Sequence, residues 1–218
     1  APYLINNFRK GQKLGHGKMI DSMIHDGLWD VYNNMHMGNC AEMLSSKRNY
    51  SREAQDKFAK NSYQKAMLAQ SENVFQQEII PIKIEKKRSE TIFIEEDEEP
   101  GKVKFEKLSK LRPAFEKNGT ITAANASKLN DGAAAALVMS EKKANKLGLK
   151  PIARIVAHCS YAHEPEWFTT APGEAIKLVL NKAGMNSNEI GLWEINEAFS
   201  SVTMAAIDDF KINPDIVN

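Results

Sequence analysis

The chain has little cysteine, little net charge and no long hydrophobic run, and each shortage excludes something. Two cysteines in 218 residues, Cys40 and Cys159, build no disulfide framework and fit a reducing compartment. Basic and acidic residues nearly cancel, leaving +1, so no global field recruits nucleic acid or a membrane surface. The longest apolar run, Ala133 to Met139, falls far short of the roughly 20 residues that span a bilayer. The opening, APYLINNFRKGQ, carries neither a signal-peptide apolar stretch nor an Arg-rich, acid-poor presequence. A start without Met and an end in INPDIVN read as cut ends. There is no internal repeat and no low-complexity tract. What is present, 42% hydrophobic and 26% charged residues, suits one large domain or two smaller ones with a solvated surface.

Residues 1–22 read as a loop, with Gly11, Gly15 and Gly17 close together. Met19, Ile20, Met23, Ile24 and Leu28 recur at near-helical spacing until Asp26-Gly27 breaks it. A helix is expected from about Cys40 to Lys47. Another is expected from an N-cap at Ser51, with Glu53 in its first turn, to about Ala69, with Ala54, Phe58, Ala66 and Ala69 on one face. Val74 to Lys83 and Glu90 to Ile94 have strand character. IEEDEEP at residues 94–100 is acidic, and GKVKFEKLSKLR at 101–112 is basic. Such a pair reads as a self-screening surface or as a phosphate-binding rim beside a cleft.

Residues 118–135 are rich in glycine and alanine, so backbone groups can approach a ligand or another backbone closely. GAAAALVMS reads equally as a buried strand or a helix. SEKKANKLG, residues 140–148, is a helix capped by Ser140 with Gly148 past its end. Residues 152–162 read as a strand and 163–171 as an irregular loop. A helix follows, with Pro172 in its first turn, Ile176, Val179 and Leu180 on its apolar face, and Gly184 at its end. From residue 151 the order is βαβα, which predicts an α/β fold with a mostly parallel sheet under helices.

The most informative stretch is GLWEINEAFSSVTMAAIDDF, residues 191–210. Leu192, Trp193 and Ile195 read as the end of a buried strand. From Ala198 the spacing turns helical, through Phe199, Val202, Ala205, Ala206 and Phe210. Asn196 and Glu197 stand at the switch, where strand ends in open α/β folds meet ligands. A neutral amide there either caps the helix or holds a water or an oxygen through its fixed donor and acceptor.

Four stretches in order resemble the thiolases, the enzymes that make or split 3-ketoacyl-CoA: GHGKMIDSMIHDGLWDVYNNMHMGNCAEM (15–43), NGTITAANASKLNDGAAA (118–135), NEAF (196–199) and INPDIVN (212–218). The similarity runs the length of the chain and is nearest to the mitochondrial acetoacetyl-CoA branch of the family. It implies a layered α/β/α fold. Residues 1–128 would be the inserted loop domain, 129–150 the last piece of the N-terminal half, and 151–218 the first part of the C-terminal half. It implies a reversible Claisen condensation of two acetyl-CoA to acetoacetyl-CoA and CoA, in a homotetramer of the mitochondrial matrix or the cytoplasm, with residues 1–22 helping to join dimers.

The same resemblance assigns roles. Asn196 matches the asparagine that holds an oxyanion-hole water. His36 and Met37 match residues lining the cavity, and Phe168 a bulky residue at the acyl pocket. Lys102, Val103, Lys104 and Lys107 match the stretch meeting the nucleotide end of coenzyme A. Ser127 matches a contact to pantetheine, and Tyr63 a tyrosine at the same site. Tyr63 with the carbonyls of Ala123, Ala124 and Ala126 would bind potassium. The two reactive cysteines and the reactive histidine of the family have no match here, so the 218 residues alone are expected to be inactive. Cys40 and Cys159 read as structural. A noncatalytic acyl-CoA-binding or assembly subunit is the alternative reading.

Overall fold

The computed structural model describes residues 1–6, 8–85 and 91–218. The strands are β1 (Tyr3–Ile5), β2 (Met19–Asp21), β3 (Trp29–Asp30), β4 (Met35–His36), β5 (Ile82–Ile84) and β6 (Ile92–Ile94). The α-helices are α1 (Met37–Arg48), α2 (Arg52–Ser71), α3 (Glu98–Lys102), α4 (Glu141–Lys146), α5 (Ala171–Ala183) and α6 (Ser200–Phe210). Among the described residues the strands form antiparallel pairs, with Leu4 opposite Ile20, Trp29 opposite His36 and Lys83 opposite Phe93. The mixture of helices and strands is α/β. No described helix is long and apolar enough to cross a membrane.

Local chemistry explains the helix ends. Ser51 Oγ accepts the Ala54 N–H at 3.1 Å, and Ser140 Oγ accepts that of Lys143 at 3.3 Å, each satisfying a donor that the first turn leaves open. Asn49 closes α1 in the left-handed region, φ 56°, a conformation asparagine tolerates. Gly184 closes α5 the same way, at φ 67°.

The expected parallel arrangement survives in one unit. The Trp193 N–H donates to Ile216 at 2.8 Å, the Asn218 N–H to Trp193 at 2.7 Å, and the Ile195 N–H to Asn218 at 2.9 Å. These slanted bonds pair residues 193–195 with 216–218 in parallel across α6. Trp193, Ile195 and Val217 bury their side chains with Leu180 of α5 and Ala206 of α6. Each large side chain so buried contributes about 1.5–3 kcal/mol.

Several expectations fail. Residues 152–162 form no strand, and Ile152, Ile155 and Val156 are exposed, because no neighbouring strand among the described residues accepts their backbone bonds. Residues 133–139 form neither strand nor helix, and Leu137 and Val138 stand in solvent for the same reason. Leu192 is exposed rather than buried. Residues 1–22 contain the β1–β2 hairpin instead of loop alone. The near-helical spacing after Met19 produces one π-turn, Ile24–Leu28, between strands. The buried face of α2 runs through Gln55 and Ala59, not Ala54. The acidic run starts a helix, α3, on the cap of Asp97. Glu90, the expected start of one strand, lies outside the described residues.

Candidate functional site

The small-residue turn TAANAS is held from behind by two helices. Glu42 of α1, almost wholly buried, accepts the N–H of Thr120 at 2.8 Å, that of Ile121 at 2.7 Å and the Thr120 hydroxyl at 2.8 Å. Gln55 of α2 donates to Thr120 Oγ1 at 2.9 Å. Asn125 donates to Asp56 Oδ1 at 3.0 Å and accepts the Thr122 N–H at 2.8 Å. Asp56 is fixed in turn by Arg52 at 2.7 Å. At position 119 a Cβ would meet the Glu42 carboxylate, so any larger residue there would push that carboxylate off the backbone it holds. At position 38 a Cβ would collide with the Phe115 ring.

The NEAF segment lies against the front of that turn. The Ser127 N–H donates to Ala198 at 3.0 Å, and the Ser200 N–H donates to Asn125 at 2.9 Å. Ala126 and Phe199 are therefore a non-hydrogen-bonded antiparallel pair, which turns the carbonyl of Ala126 away from Phe199. Ala41, Ile121, Phe199 and Val202 bury together beneath this junction, with Phe168 and Phe115 packed on them.

Asn196 does not cap α6. That helix starts four residues later, behind Phe199, which makes no side-chain cap bond. Asn196 instead lines a cavity of about 610 Å³ with Phe168, Pro172, Ile176, Val179 and Ile195. Most of these walls are apolar, with His158, Cys159, Glu194 and the exposed Asn196 as the polar members, a lining suited to an acyl or thioester group with an amide beside it. Cys159, expected in the core, is half-buried at the rim of this cavity and donates from its thiol to the Ala175 carbonyl at 3.2 Å.

His36 stands at the start of α1, where its Nδ1 accepts the Gly38 N–H at 3.0 Å. That bond leaves Nε2 to carry the proton in the neutral ring. Burial lowers its pKa, so the ring is neutral at physiological pH. The ring packs on Phe115 with centroids 4.6 Å apart, and Phe115 meets Phe199 edge-on at 6.1 Å. His36 and the NEAF segment thus share one aromatic column. Met37, half-buried, opens α1 beside it. The cavity itself is lined by Asn196 and Phe168 and not by His36, Met37 or Ser127.

The basic stretch divides. Lys102 is engaged by Glu98 at 3.0 Å and Glu99 at 3.1 Å, which raise its pKa, so here the self-screening reading holds. Lys104 and Lys107 are exposed and make no ion pair among the described residues, while Val103 is half-buried at the end of α3. Tyr63 of α2 has its phenol pKa raised by burial and by the charges of Glu99, Glu197 and Asp97.

The donor set expected for potassium consists of oxygen atoms, the type a hard cation takes. The Ala123 carbonyl accepts the ammonium of Lys128, so a cation ligated there would have to displace that lysine. The acidic groups facing Tyr63 favour a cation nearby. Cys40 has no reactive character. It is fully buried, donates weakly to the His36 carbonyl at 3.9 Å, and has its thiol pKa raised by burial and by Asp30.

Sequence reasoning missed Glu42, Gln55 and Asp56. The available signal for Glu42 was a single carboxylate in the otherwise small or apolar run GNCAEML; for Asp56 it was the i, i+4 spacing from Arg52.

Comparison with known proteins bears on all of this. Family models described as thiolase, N-terminal domain, and thiolase, C-terminal domain, match residues 1–142 and 149–218. A probable acetyl-CoA acyltransferase of Staphylococcus aureus strain COL is 45% identical over all of this chain and 56% of its own length. A probable acetyl-CoA acetyltransferase of Dictyostelium discoideum is 45% identical over 98% of this chain and 53% of its own. The crystal structure of Bacillus anthracis acetyl-CoA acetyltransferase superposes with a TM-score of 0.95 at 36% identity, over all of this chain and 55% of that one. The chain spans about half the length of the curated relatives it matches.

Proposed function

Given that this chain belongs to the thiolase family, we propose that the complete protein is an acetyl-CoA acetyltransferase, joining two acetyl-CoA reversibly into acetoacetyl-CoA and CoA. One observation carries the reading: Asn196 lines a mostly apolar cavity from a segment bonded on one side to the TAANAS turn. Acyl transfer builds negative charge on a thioester oxygen, and an amide fixed at that place stabilises the charge directly or through a water. Phe168, which lines the cavity, would bound the acyl chain and favour a short one. Lys104 and Lys107 meet the phosphates of CoA, Ser127 meets the pantetheine arm, and His36 and Met37 line the approach. The reactive sulfurs come from parts of the protein without a match in these 218 residues, so this polypeptide alone turns nothing over. The exposed Tyr3, Leu4 and Ile5 of the β1–β2 hairpin support its role in joining dimers into a tetramer.

The test is thiolysis by the complete protein. Acetoacetyl-CoA with CoA yields two acetyl-CoA at a rate well above that for longer 3-ketoacyl-CoA. Cleavage of long chains alone would contradict the assignment, and no cleavage of either would contradict the family chemistry here.

Potassium is part of the same reading. Tyr63 and the carbonyls of Ala123, Ala124 and Ala126 would hold it, and its charge would steady the turn against the CoA arm. With the complete protein, acyl-CoA binds severalfold more tightly in potassium than in sodium at equal ionic strength, read by calorimetry. Equal affinity in both salts would remove the ion from the account.

A further inference from the structure

One wall of the cavity that Asn196 lines also borders a second pocket. That wall is the 3₁₀ turn Pro165–Thr170, which runs straight into α5. Phe168 lines the cavity. Trp167, its neighbour in sequence, lines a separate pocket of about 490 Å³ with Lys47, Arg48 and His163. At Trp167 the backbone leaves helical geometry, φ −103° and ψ 15°, and the two adjacent rings serve different sides of the turn. Phe168 is half-buried, resting against the cluster of Ala41, Ile121, Phe199 and Val202.

A six-residue 3₁₀ turn has few and poorly aligned bonds of its own, so its place depends on what grips it. Inside the turn, the Trp167 carbonyl accepts from His163 Nε2 at 2.6 Å and from the Thr170 hydroxyl at 3.0 Å. Two further grips come from elsewhere. Asn33, between β3 and β4, donates from Nδ2 to Asp30 Oδ2 at 2.8 Å and to Glu166 Oε2 at 2.9 Å. Its two amide hydrogens thus span two carboxylates. Asp30, 5% exposed, also accepts the Tyr32 N–H at 2.9 Å, which fixes the hairpin end of the tie. In the last turn of α1, the Lys47 ammonium lies 4.1 Å from the centre of the Trp167 ring, a cation on an aromatic face. Arg48 beside it is engaged by Asp209 at 2.7 Å, so Lys47 is the residue that serves the ring.

Resting on the acyl-transfer reading above, we infer that Asn33 and Lys47 are positioning residues for acyl-chain length: through Glu166 and Trp167 they fix where the turn stands, and with it how far the Phe168 ring reaches into the cavity. Neither lines the cavity, and both act through Phe168. A wall held at the two residues before its ring resists a longer chain, and a wall that can retreat admits one.

The experiment is thiolysis of acetoacetyl-CoA and of 3-ketohexanoyl-CoA by the complete enzyme. The quantity read is the ratio of kcat/KM, short chain over long, with a melting temperature for each variant. Phe168→Ala lowers the ratio by roughly tenfold or more. Glu166→Ala cuts the tie to Asn33, and Lys47→Ala uncovers Trp167. Each lowers the ratio by about threefold to fivefold, and both together by about tenfold or more. Adding Asn33→Ala to Glu166→Ala changes the ratio by less than about twofold further, because one bond is cut twice. Lys47→Arg keeps a cation over the ring and holds the ratio within about twofold of native. A merely structural tie would lower both rates together and leave the ratio unchanged.

A native ratio in the combined Glu166→Ala and Lys47→Ala variant, or a loss in Lys47→Ala that Lys47→Arg shares, would overturn the inference. If the combined variant does not fold, Lys47→Ala alone decides by the same ratio. A Phe168→Ala variant with the native ratio overturns the short-chain reading of the cavity itself. A ratio that moves in Phe168→Ala but not in the combined variant overturns this inference alone.

Discussion

Replacing Asn196 by Ala in the complete enzyme lowers turnover by roughly a hundredfold or more. The size follows from where the amide sits. Its neighbours in the cavity include Phe168, Pro172, Ile176, Val179 and Ile195, an apolar wall against which a bound acyl-CoA would exclude water from the exposed amide and the developing charge. The loss appears in kcat and in kcat/KM together, because the interaction grows as charge develops and contributes little to ground-state binding. The substitution removes a side chain that caps no helix, so the melting temperature stays within a few degrees of native. Steady-state kinetics of purified enzyme is the measurement. A fall of less than about threefold would take Asn196 out of the chemistry, since removal of a charge-stabilising donor costs far more.

Replacing Glu42 by Ala produces the largest loss of stability. Its carboxylate accepts from two backbone N–H groups and one hydroxyl of the turn at residues 120–121. Those backbone donors lie under a covering of Ile121 and Thr122, both fully buried, so water does not readily replace the carboxylate. At about 1–3 kcal/mol for each buried donor left unpaired, the change costs about 3–5 kcal/mol. The corresponding fall in apparent melting temperature is on the order of 10 °C. Glu42→Gln keeps one accepting oxygen and loses less than Ala does. An Ala variant within about 1 kcal/mol of native would mean that the turn is held by Gln55, Asp56 and Asn125 without help from α1.

The contrast between these residues shows what could be read from the chain. The junction that carries Asn196 was legible because strand residues, an amide and a helical repeat follow one another within 20 positions of sequence, while the part proposed for its amide came from the resemblance to the thiolases. The caps at Ser51 and Ser140 and the stop at Gly184 were legible for the same reason, since each acts on a neighbour three or four residues away. Glu42 was not, because its partners lie 78 and 79 positions further on, and no local pattern marks such a pairing.

Strands failed where helices succeeded, and the reason is physical. A helix satisfies its own backbone, whereas a strand exists only beside a partner. Ile152, Ile155 and Val156 have the β-branched character of a strand and no described neighbour to pair with, so they stay exposed and unpaired. Residues 193–195 had a partner in 216–218 and paired. The basic stretch had both readings in the sequence, and the choice between them lay in α3: its helical spacing brings Glu98 and Glu99 onto Lys102 and leaves Lys104 and Lys107 outside that network.

The central claim is that thioester chemistry takes place in the cavity that Asn196 enters. The most direct measurement is a crystal structure of the complete protein with acetoacetyl-CoA bound. The account requires a thioester or ketone oxygen about 3 Å from the Asn196 amide, or from a water held by it, with the acyl group against Phe168. An acyl-CoA bound with its thioester outside this cavity, and Asn196 touching neither it nor a bridging water, would contradict the account.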